Sequence, residues 1–346
     1  MNTKKLFGII SIVIVTILIV YGYVMYREIF AKNTKFAEKE VFIYIPTNSN
    51  FNDAKEALSP FIESMSRLEK VAEKKSYAEN VKAGRFLLKK GMNSNEIINA
   101  MRQNIPVKLA FNNQERLEDL AGRIGSQIEA DSSKLMASFT NKKFLADNGF
   151  TEENVLALFI PNSYEFYWNT SANKFREKMA KEYRKFWTEE RIAKAKAQNL
   201  TPIEVSTLAA IVHKETVKQD ERPRVAGVYL NRLRKGMKLE ADPTVIFAVK
   251  KSTNNFDTII KRVLYKDLET VSPYNTYMYA TLPPGPIAMP DISAIDAVLN
   301  PETHNYIYFC ASVTNFGYHE FAVTGAQHEV NRQKYVKWIN AQGIKR

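Results

Sequence analysis

Leu6–Tyr26, LFGIISIVIVTILIVYGYVMY, is an uncharged run of 21 residues, and no other feature constrains the chain as much. As a helix it is long enough to cross a hydrocarbon core of about 30 Å. A signal peptide has a shorter apolar region, roughly 7–15 residues, and a small-residue cleavage site. The run shows neither, so an uncleaved membrane anchor is expected. Tyr21, Tyr23 and Tyr26 gather at its far end, as interfacial aromatics do. Lys4 and Lys5 precede it, which predicts a cytoplasmic tail at 1–5, a transmembrane helix at 6–26 and export of the remainder. Arg27, Lys32 and Lys35 on the far side weaken that charge bias. No later run approaches spanning length, so the expectation is a single-pass protein of the cytoplasmic (inner) membrane with its bulk on the extracytoplasmic side.

Among 346 residues the formal net charge is +12, a balance that suits nucleic acid, anionic lipid or an acidic polymer. Export argues against nucleic acid. The single cysteine, Cys310, has no disulfide partner within the chain, and His213, His304, His319 and His328 lack metal-ligand spacing. No metal or cofactor is expected. There is no P-loop, no Gly-rich dinucleotide fingerprint and no G-x-S-x-G elbow.

Beyond the anchor, residues 27–39 read as a polar tether. Glu40–Pro46 and Gly84–Lys89 read as strands, each followed by an Asn-Ser-Asn turn and a short helical pattern. One strand with one helix cannot bury a core, so pairing the two repeats into a small α+β module over 40–111 is physically sensible. Helical patterns dominate to about residue 200, interrupted by the aromatic segment Leu158–Trp168. Asp220 is the expected cap of a helix over 220–235, Tyr306–Ala311 and Phe316–Val323 form a hairpin, and Gly325–Ile339 is a last helix. The fold class is therefore α+β, with a second mixed α+β domain over 112–346.

Within that domain Pro202–Val217 carries Leu208, Ile211 and Val212 at helical spacing, and the next position of the stripe is Glu215. A carboxylate on a buried face is either ion-paired or pushed up in pKa until it keeps its proton. The second state is what a general acid needs to cleave a glycosidic bond. Nearby segments offer polar groups: Asn231 and Arg232 on a helix, Asp242 and Thr244 around Pro243, and the Pro-punctuated loop Ser272–Pro286 with Tyr274, Asn275, Thr276 and Tyr277. Each also has a plain structural use, as a solvated helix face, a turn or a connector.

Leu208–Phe247, LAAIVHKETVKQDERPRVAGVYLNRLRKGMKLEADPTVIF, with the later SPYNTYMYATLPPGPIAMP, closely resembles the endolytic murein transglycosylases of the YceG-like family. The resemblance extends over nearly all of the exported part and implies that residues 40–111 form a LysM-like module and 112–346 the catalytic domain. It places the catalytic acid of the family's E-K-E-T motif on Glu215. Asn231, Arg232, Asp242, Thr244, Tyr274, Asn275, Thr276 and Tyr277 follow as candidate substrate-binding residues. His213 stands where the family has its first acidic residue, and Thr281 replaces the glycine common before L-P-P. The implied partners are peptidoglycan glycan strands, the membrane and, by family association alone, peptidoglycan synthases. The rival expectation is a non-catalytic peptidoglycan-binding or scaffold protein of the cell envelope.

Overall fold

The computed structural model describes residues 3–342; the first two residues of the expected tail and the last four of the expected catalytic domain lie outside the described residues. The apolar run forms one helix, Thr3–Phe30, with Phe7–Phe30 long and apolar enough to cross a membrane and unburied by the rest of the chain. Beyond it the protein is α+β and divides into two compact units. One runs to Leu109 and takes in Gln127–Ala130 and Tyr164–Ser171; the other takes Ala110–Ser126, Asp131–Ser163 and the chain from Ala172 onward.

In the first unit β1 (Glu40–Ile45) and β2 (Gly84–Lys89) pair antiparallel, from Glu40 opposite Lys89 to Ile45 opposite Gly84. Ile43 and Ile45 on one strand and Phe86 and Leu88 on the other point into a core shared with Leu58, Leu68, Ile97 and Ile98. The helices after the strands, Phe51–Leu58 and Ser94–Ala100, both open with an asparagine capping box, Asn50 with Asp53 and Asn93 with Glu96. The similar turns are not in the same register: the last asparagine of Asn-Ser-Asn caps the first helix, the first one caps the second. A further helix, Met65–Lys74, lies between the repeats and escaped the sequence pattern.

The expected tether over 27–39 is instead stitched into this unit. Asn33 is fully buried; its amide bonds both backbone groups of Ser64 at 2.8 and 2.9 Å and the Ser94 hydroxyl at 3.0 Å. A polar stretch without periodicity reads as a tether, but one asparagine that mimics a strand edge is enough to anchor it.

The second unit is organised around the helix Pro202–Glu215. Thr201 and Glu204 form its capping box and Pro202 occupies its first turn. Every residue from Val205 to Val212 is buried, so this is a central helix enclosed on all sides and not the one-sided helix that the stripe suggested. Ser206 and Thr207 satisfy their hydroxyls on the carbonyls of Pro202 and Ile203. The helices Arg222–Arg234 and Ile292–Leu299 pack against it, and Trp187, Phe247 and Tyr274 close the core. This unit's sheet is β5 (Tyr308–Ala311) with β6 (His319–Ala322), and a separate two-stranded sheet is β3 (Pro106–Phe111) with β4 (Asn162–Tyr167). In the aromatic segment Leu158, Phe159, Ile160 and Phe166 are buried, whereas Tyr167 is exposed.

Candidate active site

Glu215 is the last residue of the central helix; Thr216 turns extended at φ −137°, ψ 134°. A helix C-terminus carries partial negative charge and disfavours an anion there. The side chain is half-buried, open to solvent on one side and enclosed on the others. Its hydrogen bond comes from the Tyr229 hydroxyl at 3.2 Å, and among the described residues it has no ion-pair partner. Burial pushes the carboxyl up to about 7; the neighbouring Asp242 and Glu221 push the same way, and His319 and the Tyr229 bond pull back less strongly. The ion-paired alternative for Glu215 is thus replaced by a carboxyl poised to hold its proton near neutrality.

Several elements converge on it. Tyr229 rises from the buried face of Arg222–Arg234, its phenol held neutral by burial and by the adjacent Glu215. Asp242 begins the helix Asp242–Ser252 and accepts a hydrogen bond of 2.7 Å from the Tyr277 hydroxyl, which burial and this bond keep protonated. His319 opens β6 opposite Ala311. Its Nδ1 lies 2.8 Å from Glu221 Oε2 and its backbone N–H donates to Glu221 Oε1 at 2.7 Å. Glu221, 4% exposed, also accepts from the Thr216 hydroxyl at 3.1 Å. Burial alone would raise the Glu221 carboxyl, but these donors hold it below the usual carboxylate range. Glu221, not Asp220, occupies the helix cap position, and its side chain is diverted from capping to His319.

His213 lies in the last turn of the same helix, two residues before Glu215. Its Nδ1 is 3.1 Å from Asp291 Oδ2, the oxygen to which buried Arg222 donates at 3.1 Å. Arg222 Nε also reaches the Thr216 carbonyl at 3.4 Å. Asp291 therefore supplies the negative partner for Arg222. Burial holds the His213 imidazole below its ordinary pKa.

The other expected binding residues make structural contacts of their own. Asn231 donates to the carbonyls of His304 and Tyr306 at 2.8 and 3.0 Å, and Arg232 to those of Ile307, Lys238 and Leu239. Both latch surrounding loops to the helix. Thr244 and Thr276 share a buried hydroxyl–hydroxyl bond of 2.8 Å that braces the Asp-Pro turn. Asn275, fully buried, holds the carbonyls of Leu268 and Thr270, both at 2.9 Å. Tyr274 is a core ring, 4.7 Å from that of Phe247. Of the eight, Asp242 and Tyr277 stand next to Glu215. Thr281 is exposed and its backbone is not left-handed, so the residue is accommodated without the family's glycine.

Tyr229 was legible as a hydroxyl on a buried helical stripe, which requires a partner. Glu221 and His319 carried no local signal, being 98 residues apart.

A family model described as the YceG-like family matches residues 43–334. A curated relative from Bacillus subtilis (strain 168), named endolytic murein transglycosylase, is 28% identical over 76% of this chain and 75% of its own length. A Streptococcus pneumoniae protein of the same name is 33% identical over 41% of this chain but only 25% of its own length. Among solved structures, that of a yceG-like protein from Listeria monocytogenes superposes with a TM-score of 0.56 at 26% identity, covering 85% of this chain and 99% of that one.

Proposed function

The chain belongs to the YceG-like family, and from that premise we propose that it is a membrane-anchored endolytic murein transglycosylase with Glu215 as its acid and base. The observation that carries the proposal is the Glu215 carboxyl, without an ion-pair partner among the described residues and raised to about 7, at the end of a helix buried from Val205 to Val212. Protonated, it donates to the oxygen bridging N-acetylmuramic acid C1 and N-acetylglucosamine, and that C1–O bond breaks. The resulting carboxylate takes the proton of the muramoyl C6 hydroxyl, whose oxygen bonds C1 and leaves a 1,6-anhydro end. The proton count closes without water, so one carboxyl serves both steps. Asp242, oriented by Tyr277, stands where its negative charge offsets positive charge developing at C1.

The N-terminal helix serves as the anchor, with residues 1–5 cytoplasmic, and keeps the site beside nascent strands whose elongation the cut terminates. Residues 40–111 act as the LysM-like glycan-holding module and 112–346 as the catalytic domain. Synthases working on the same strands are the proposed partners.

A second reading is favoured by Asp242: two carboxyls close together also suit a hydrolase, with Asp242 as nucleophile or base. Mass spectrometry of digested peptidoglycan separates the two, since hydrolysis leaves a reducing end one water heavier than the anhydro end. Glu215→Gln is expected to abolish anhydro-ended products. Release at the wild-type rate by the purified variant would end the proposal.

A further inference from the structure

Beyond the acid itself, a ring of contacts leads from Glu215 to a second titratable group. Tyr229 donates to Glu215, the Tyr229 ring packs edge-on against Phe309 with centroids 5.7 Å apart, and Phe309 packs edge-on against His319 at 5.0 Å. His319 is gripped by Glu221, and Glu221 accepts from Thr216, the residue directly after Glu215. The ring closes within one small volume. With Nδ1 donating to Glu221, His319 keeps Nε2 as its second site for a proton.

We propose that His319, locked by Glu221, is a positioning residue that supplies the counter-charge to Glu215 while Glu215 is a carboxylate between its two proton transfers. This rests on the transglycosylase reading above. In that interval the site holds an anion at a helix C-terminus, beside Asp242 and Glu221, with only a neutral phenol bonded to it. An imidazolium here is the group of opposite sign that the enclosing elements bring: Tyr229 and Glu221 come from one helix, Asp242 from another, Tyr277 from the loop, and His319 from β6. The electrostatic balance agrees, His319 being the strongest influence that favours the ionised form of Glu215. Glu221 has a separate task. Its two carboxylate oxygens take the His319 backbone N–H and ring Nδ1 together, which fixes the imidazole's orientation as a mobile surface histidine's is not.

The test uses the full chain in detergent micelles, with anhydro-product release from glycan strands followed across pH for wild type, His319→Gln and the double variant His319→Gln/Glu221→Gln. Anhydro ends from wild type check the underlying reading first; their absence would sink that reading and not this one alone. Given anhydro ends, the alkaline limb of the rate is expected to move up by about one pH unit in His319→Gln, because Glu215 loses a nearby opposite charge. The double variant removes the buried carboxylate as well, so it folds without an unpaired charge, and its limb should fall between wild type and the single variant. A purely structural histidine would lower the rate without moving the limb. Limbs coinciding with wild type in the folded variants overturn the proposal.

Discussion

Replacing Glu215 with glutamine should stabilise the protein, and only at high pH. In the unfolded chain a glutamate ionises near 4.5, whereas here burial lifts it to about 7. At 1.36 kcal/mol per pKa unit the folded state loses about 2–3 kcal/mol on ionisation, the lower end allowing for the solvent-open side. The sign follows from proton binding. Below about pH 4.5 the carboxyl is protonated in both states and its full contribution to stability is present. As pH rises through 7 the folded protein must give up a proton that it holds more tightly than the unfolded chain does, and that contribution is lost. Glutamine keeps the shape and does not titrate. Groups such as Glu221 and Asp291 titrate in both proteins and cancel in the difference. Wild type and Glu215→Gln should thus unfold alike at pH 4, and at pH 8.5 the variant should be more stable by about 2–3 kcal/mol, or roughly 5 °C in Tm. Paired urea and thermal unfolding in one detergent across pH 4–8.5 measures this without any substrate. A stability difference independent of pH would refute the raised carboxyl. A wild type that gains on the variant with rising pH would show that His319 pairs with Glu215 strongly enough to reverse the shift.

Tyr229→Phe deletes the hydroxyl that donates to Glu215 at 3.2 Å, so the carboxylate form loses a donor and the alkaline limb of activity should move upward; a limb that stays put or falls contradicts the geometry. The same change should reduce folding stability by about 1 kcal/mol in denaturant titration. Gly227→Ala places a Cβ at 2.6 Å from His304 Nε2 and 2.8 Å from the Glu302 carbonyl. Alanine's helix preference of about 1 kcal/mol should not offset that overlap, and a net loss of about 1–3 kcal/mol is expected. An equal or higher denaturation midpoint would show that the 302–304 loop is free to move away.

Much of the local structure was written in short-range chemistry. Asn50 and Asn93 announce helix starts because a side-chain oxygen satisfies free backbone donors within three residues, and Pro202 behind Thr201 does the same for the central helix. The polar loop Ser272–Pro286 misled for a related reason. Its Tyr-Asn-Thr-Tyr stretch is rich in hydrogen-bonding groups, and composition alone does not say whether these face a ligand or the loop itself. Asn275 and Thr276 turned inward because a buried loop must satisfy its own backbone, and Tyr277 alone of the four points its hydroxyl at Asp242. Residues 27–39 misled in the opposite direction, since a buried Asn33 and the packing of Ile29 and Phe36 outweighed the polar character of their neighbours.

The sequence by itself determined the anchor-length helix, the α+β class and the family, because residue order along the chain carries apolar runs, helix starts and motifs directly. Only the tertiary structure decided what Glu215 can do. Burial among the surrounding helices raises its proton affinity, His319 from the final hairpin and the Tyr229 hydroxyl lower it, and Asp242 and Glu221 raise it. Burial and electrostatics act through space, and no spacing along the chain encodes the distance at which a histidine from the final hairpin meets the end of a central helix.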